Sequence, residues 1–212
     1  MRKWFGLLAG CAALLSLQAC APKAQDDCGF VQNVYGERIS WKGQIPITLQ
    51  LHESVPDQYV EAIKAAANSW NKASGKPLFR IDETKATGTP TGRDRQNLIS
   101  FSSNWEQEKL SEQAKTSVHW VGDQIQEADI RVNASKTSSG REVFQFYWQD
   151  PNATTVSGGG VNIEALLLHE LGHVLGLKHK DRDSSVMATY LASNSDRTEL
   201  AETDKSSLQC EY

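Results

Sequence analysis

Residues 169–179 of this 212-residue chain read His-Glu-Leu-Gly-His-Val-Leu-Gly-Leu-Lys-His, an H-E-x-x-H-x-x-G-x-x-H pattern. The residues before it, Ile163 to Leu168, carry only one charge, and Leu166, Leu167, Leu168, Leu171 and Val174 make the segment apolar nearly all round. A helix of that composition is predicted to be buried. Asn162 is placed to cap it, and Glu164 falls in its first turn, where a carboxylate is favourable. The helix is predicted to run to about Val174. His169 and His173, four residues apart, project from one face. Gly176 is expected to end the helix in a left-handed turn that brings His179 back to the same point. Two imidazoles and a carboxylate on a buried helix need compensation. Three of the five histidines of the chain lie in these eleven residues. Three neutral imidazoles with a fourth position open describe a catalytic zinc site, with His169, His173 and His179 as ligands of one Zn2+. Glu170, about 100° round the helix from His169, is then the general base for a water activated by the metal.

The N-terminus has a different character. Arg2 and Lys3 precede an apolar run from Trp4 to Leu17, and no acid occurs before Asp26. Residues 1–19 read as a signal peptide, too short and too early for a membrane span. Leu17-Gln18-Ala19-Cys20 resembles a bacterial lipobox, which makes Cys20 the expected lipidation site. Leu8-Ala9-Gly10-Cys11 is the alternative, with an apolar run at the lower length limit. The chain is therefore expected to be exported and anchored by lipid at a bacterial membrane, at the outer membrane or cell surface, or otherwise to be periplasmic or secreted. Residues 20–27 form the lipidated Cys and a small, polar tether. Residues 28–212 form one domain, long enough for a substantial core. The chain has 22 basic and 26 acidic side chains with neither sign clustered, which argues against a nucleic-acid partner. With Cys20 acylated, Cys28 and Cys210 remain as a pair, expected to be bridged in an exported protein.

Alternating residues predict strands at Ile45–Leu51 and Leu78–Ile81, with a helix between them that carries Val60, Ile63, Ala67 and Trp70 and stops at Gly75 and Pro77. Residues 83–96 are predicted as a loop. Further strands are expected at Asn97–Phe101, Val118–Val121 and Ala128–Val132, and a short apolar run at Val143–Trp148. Residues 102–115 are polar with room for one helical turn. Gly158-Gly159-Gly160 is an approach to the central helix, without the remainder of a phosphate-loop pattern. A short last helix is predicted from Glu202 to Gln209. His52 and His119, each alone in a strand pattern, are taken as structural.

Ser185-Val186-Met187 follows His179, and Met187 is one of only two methionines. The motif and this Met-turn resemble the metzincin zinc metalloproteases, most of all the matrixins. The order of elements from Ile45 to Leu208 is similar as well. The resemblance implies an α+β zincin fold. Its parts are a twisted, mostly parallel five-stranded sheet with an antiparallel edge strand near Thr116–Val121, a backing helix, an active-site helix and a C-terminal helix. It also implies an endopeptidase for extended protein or peptide segments, added along the edge strand, with Met187 supporting the metal site. The selective pocket is expected at Leu166 and residues 188–200. Lys180 follows the third histidine where the better-known branches carry other residues. Tyr190 stands three residues after Met187, not two. No loop has the spacing of the matrixin structural zinc and calcium sites. Cys28-Gly29 resembles the inhibitory Cys-Gly of matrixin propeptides, so a thiolate switch and a free thiol stand as alternatives to the bridge. Restraint of the enzyme could also come from narrow specificity or a separate inhibitor. A different class of reading is a zinc-retaining binding or adhesion lipoprotein with little turnover.

Overall fold

A computed structural model describes residues 24–90, 92–149, 160–182, 184–190, 192 and 195–212. The signal segment, Cys11, Cys20, Gly158 and Gly159 lie outside the described residues.

Five strands form one sheet: β1 (Ile47–His52), β2 (Phe79–Ala86), β3 (Leu98–Ser102), β4 (Ala114–Val121) and β5 (Gln124–Asn133). Their order is β2-β1-β3-β5-β4. All neighbours are parallel except β4, which pairs antiparallel with β5 from Ala114–Val132 to Val121–Gln124 and forms an edge. The expected mostly parallel sheet with an antiparallel edge strand is therefore present. Three strands, β2, β4 and β5, are longer than the pattern predicts. β2 continues to Ala86 through residues expected to be loop, because His52 pairs with Ala86 after a register shift in β1. β4 begins at Ala114. A two-residue strand β6 (Phe146–Tyr147) pairs in parallel with β7 (Val161–Asn162), so only the later part of the 143–148 run is strand. Residues 107–109 supply the helical turn in the polar stretch.

Helix α1 (Val60–Ser74) buries Ala62, Ile63, Ala66, Ala67 and Trp70 on one face. Gly75 ends it in the left-handed conformation, φ 67°. This is the backing helix. Trp70 crosses the core and its Nε1 donates to the carbonyl of Leu168 at 2.9 Å, so the indole polar atom is satisfied while the ring packs. Helix α2 (Ile163–Val174) is buried nearly throughout, as its composition requires. Asn162 caps it, accepting from the amides of Glu164 and Ala165. Helix α3 (Glu202–Gln209) closes the domain.

The two ends of the domain meet. Cys28 and Cys210 form a disulfide across a separation of 182 residues, with Cα atoms 6.3 Å apart. In the expected tether, Gln25 donates through its amide to the Gly36 carbonyl, and the Asp27 carboxylate accepts from Gly29 N and Lys178 Nζ. His52 is buried, its ring nitrogens bonded to Ser54 and to the carbonyl of Gly88, consistent with a structural role.

Candidate metal centre

The three motif histidines converge. His173 Nε2 lies 3.1 Å from His169 Nε2 and 3.2 Å from His179 Nε2, and these are the ligand atoms of a potential metal cluster. Nitrogens bound tetrahedrally to zinc at about 2.0–2.1 Å are separated by roughly 3.3 Å, so the spacing fits that ion. The other ring nitrogens explain the orientation. His169 Nδ1 donates to the Val186 carbonyl at 2.7 Å, and His173 Nδ1 to the Leu177 carbonyl at 2.8 Å. A carbonyl can only accept, so Nδ1 carries the proton of each neutral ring and Nε2 presents a lone pair. Lone pairs aimed at one another repel unless a cation sits between them. Burial, joined for His173 by the neighbouring His169 imidazole, pushes the pKa of His169 and of His173 down to about 4. Both rings are thus held neutral, the form that binds metal.

Local backbone chemistry makes this convergence possible. Gly176 adopts φ +99°, and an added Cβ would stand 2.2 Å from the Ile39 carbonyl oxygen. The helix reverses there and Leu177 forms a bridge with Phe30. Gly172 faces Met187, where an added Cβ would meet the sulfur at 2.2 Å. Met187 is buried directly under the metal-binding helix. Its turn is tied by Met187 N to Ser185 Oγ at 3.0 Å and by Lys180 N to the Met187 carbonyl at 2.7 Å. Asp204 of α3, fully buried, accepts from the Ser185 hydroxyl, from Val186 N at 3.0 Å and from Ala201 N at 3.0 Å. The chain that presents the Val186 carbonyl to His169 is therefore fixed from α3. Lys180, the residue that departs from the family pattern, points away from the histidines to Ser207 Oγ and the Thr203 carbonyl.

Glu170 is buried, and its carboxylate accepts a short hydrogen bond from the Thr116 hydroxyl of β4. Burial raises its pKa above the ordinary carboxylate range, opposed by the neighbouring His173 ring and by the Thr116 bond. The histidines and Glu170 open into a cleft of about 570 Å³ bounded by β4 on one side and by Leu166, Ala188, Thr189 and Tyr190 on the other. Leu166 and the residues after Met187 are thus at the cleft wall, where the selective pocket was expected. Tyr190 is exposed. The sequence places Thr116 in the edge strand and Ser185 in the Met-turn, but it does not announce their contacts or that of Asp204. The S/T and D residues have no distinguishing spacing, and their partners lie 54 and 19 residues away.

The matrixin family model matches residues 41–212 of the chain. No curated protein matches it significantly.

Proposed function

The chain belongs to the matrixin family of metalloproteases, and on that premise we propose that it is a zinc-dependent endopeptidase of metzincin type acting on extended protein segments. The observation that carries this reading is the convergence of three histidine Nε2 atoms beside Glu170 in an open cleft. His169, His173 and His179 would hold one Zn2+, with Met187 packed beneath their helix; an ion held there would supply Lewis-acid polarisation of the scissile carbonyl and a lowered pKa for bound water. Glu170, oriented by Thr116, takes the proton from the attacking water and returns it to the leaving amine. The free edge of β4 offers backbone groups to which a substrate adds as a further strand. Leu166 and Ala188 then receive the side chain that follows the scissile bond.

The enzyme is exported, with residues 1–19 removed and Cys20 acylated, and is held at a bacterial membrane. The charge pattern of the N-terminus supports this, and so does a disulfide, which persists in oxidising compartments. Intact mass of protein extracted from membranes checks it: an added diacylglyceryl and acyl mass on Cys20 is expected, and an unmodified thiol removes the anchor.

For the activity, wild-type and Glu170→Gln proteins loaded with zinc are compared on a denatured protein and a peptide library. The variant should retain zinc and lose about 100-fold or more of kcat/KM, the scale of general-base catalysis. Activity of the variant at the wild-type level would overturn the mechanism.

A further inference from the structure

We infer that Val34, Tyr35, Trp120 and Val121 form a membrane-contact surface that rests in the interfacial zone of a lipid bilayer, an inference that builds on the lipid-anchored reading above. These side chains are 93, 65, 46 and 74% exposed. A single exposed apolar residue is ordinary, but a contiguous group marks a contact surface. Val34 and Tyr35 lie on a turn, and Trp120 and Val121 end β4 at the turn that adjoins it. Asn33 Nδ2 donates to the Gly122 carbonyl at 3.2 Å, and Ser40 N to the Asp123 carbonyl at 3.0 Å. Val31 continues the group into the cleft, which it and Trp120 help to line.

Charges flanking the group are engaged within the protein. Glu37 accepts from Asn33, Arg38 pairs with Glu211, and Lys42 pairs with Glu211 and Asp123. The surface presented outward is therefore aromatic and aliphatic. Tyr and Trp have the amphipathic shape that favours the headgroup region. Arg93, exposed beside Trp120 and Val121, adds a cation at the border suited to lipid phosphate.

The path of the chain identifies the occupant. Ala24 packs against Gly36, where an added Cβ would come within 2.9 Å of the Ala24 Cβ, and Gln25 N donates to the Gly36 carbonyl. The chain thus enters the domain next to Tyr35. Only four residue steps separate Cys20 from Ala24, about 14 Å at full extension. An acyl group on Cys20 holds that residue at headgroup level, so the Val34–Tyr35 turn is never far from the bilayer. Such tethering raises the local concentration of a surface that would bind weakly alone. One end of the cleft then opens beside the membrane, and the substrates reached first are protein segments close to it.

The test supplies the anchor chemically. Protein starting at Cys20 is zinc-loaded and coupled through that thiol to a maleimide lipid, Cys28 and Cys210 being bridged. It is placed on vesicles of phosphatidylcholine and phosphatidylglycerol with brominated acyl chains. Tryptophan quenching is expected, to be absent in Trp120→Phe and reduced severalfold in Val34→Asp/Val121→Asp. Unacylated Cys20→Ser protein should partition onto the same vesicles weakly, and at least tenfold less with Val34→Asp/Val121→Asp. Zinc content and the unfolding midpoint report whether each variant is folded. Equal quenching in the anchored protein and the Trp120→Phe variant, with Trp120 still open to aqueous acrylamide, would overturn the inference. So would shielding of Trp120 by peptide but not by vesicles. Because the lipid is attached in vitro, an unmodified natural Cys20 would defeat the anchor reading and leave this result standing on its own.

Discussion

The hydroxyl of Thr116 links the proposed base to the edge strand, and its effect has a definite sign. A donor on a carboxylate favours the charged form. Thr116→Val removes it, leaves the strand backbone intact and exposes the carboxylate to the full effect of burial. The pKa of Glu170 should rise, so the acid limb of the kcat/KM profile moves to higher pH. A hydrogen bond to a charged group contributes about 1.5–3 kcal/mol, which predicts a loss of roughly 10- to 100-fold near neutrality. Thr116→Ser should recover most of it, and zinc content should be unchanged in both. A uniform loss with no movement of the pH profile would reduce Thr116 to a packing residue. The motif residues were legible in the sequence because their chemistry depends on spacing along a single helix and turn. The roles of Thr116, Ser185 and Asp204 were not, because each acts across a tertiary contact that no local period announces. Cys28 was legible only as one of a pair, and the structure selects the bridge over the thiolate.

Elements were legible where one face is buried and the other is not. Helix α1 shows this in Val60, Ile63, Ala67 and Trp70; α2, buried nearly throughout, is legible instead by its apolarity all round. The end of β2 was hidden for the opposite reason. Asp82, Glu83, Thr84 and Lys85 are half-buried or exposed on an edge strand, so their polarity reads as loop although the backbone is paired. Strand β5 carries a polar feature of another kind. Asp129 accepts from Leu98 N at 3.0 Å, next to Glu127, whose carboxylate accepts from the amides of Arg93 and Arg95. Burial, with the negative charges of Glu127 and Asp94 adding to it, pushes the Asp129 pKa up to about 7. Its folded value lies above the unfolded one, so between about pH 4 and 7 the folded state holds a proton that the unfolded chain has released. The associated stability is fully present below pH 4 and is lost as pH rises through about 7. After allowance for partial exposure the change is roughly 2 kcal/mol. Urea unfolding of wild-type and Asp129→Asn proteins at pH 4.5 and 8 measures it. The wild type should lose about that much relative to the variant on going to pH 8. Ionisable groups common to both proteins largely cancel in the difference. Parallel pH dependence in the two would remove the assignment.

At the scale of the whole molecule, the ends of the chain support the metal centre. Val31 N donates to the Gly176 carbonyl, Lys178 N to the Gly29 carbonyl and Trp41 Nε1 to the Val174 carbonyl. From the other end, the Tyr212 hydroxyl donates to the Leu175 carbonyl at 2.8 Å. The turn that delivers His179 is thus held on both sides by segments with no periodicity, which is why the sequence offered no sign of the arrangement. Glu211 joins the two ends. Burial acts to raise its pKa, yet Lys42, Arg38 and Ser40 together hold it below the ordinary carboxylate range. The Cys28–Cys210 bridge closes the same junction covalently. In the chain-entropy treatment a loop of that length contributes about 5 kcal/mol by restricting the unfolded state. That term alone would lower the unfolding midpoint of Cys28→Ser/Cys210→Ser and leave the native site untouched. The contacts around Gly176 and Leu175 predict a second effect that unfolded-state entropy does not produce. With the junction unclamped, the segment from Val174 to His179 should open locally at lower cost, and local opening is drawn from the least stable parts of a fold. Zinc should therefore leave the double variant at least tenfold faster under native conditions, as followed with a chromophoric chelator well below the unfolding midpoint. Reduction of the wild-type bridge should produce the same acceleration, reversed on reoxidation. A lowered midpoint with an unchanged zinc release rate would confine the bridge to global stability and separate it from the metal centre.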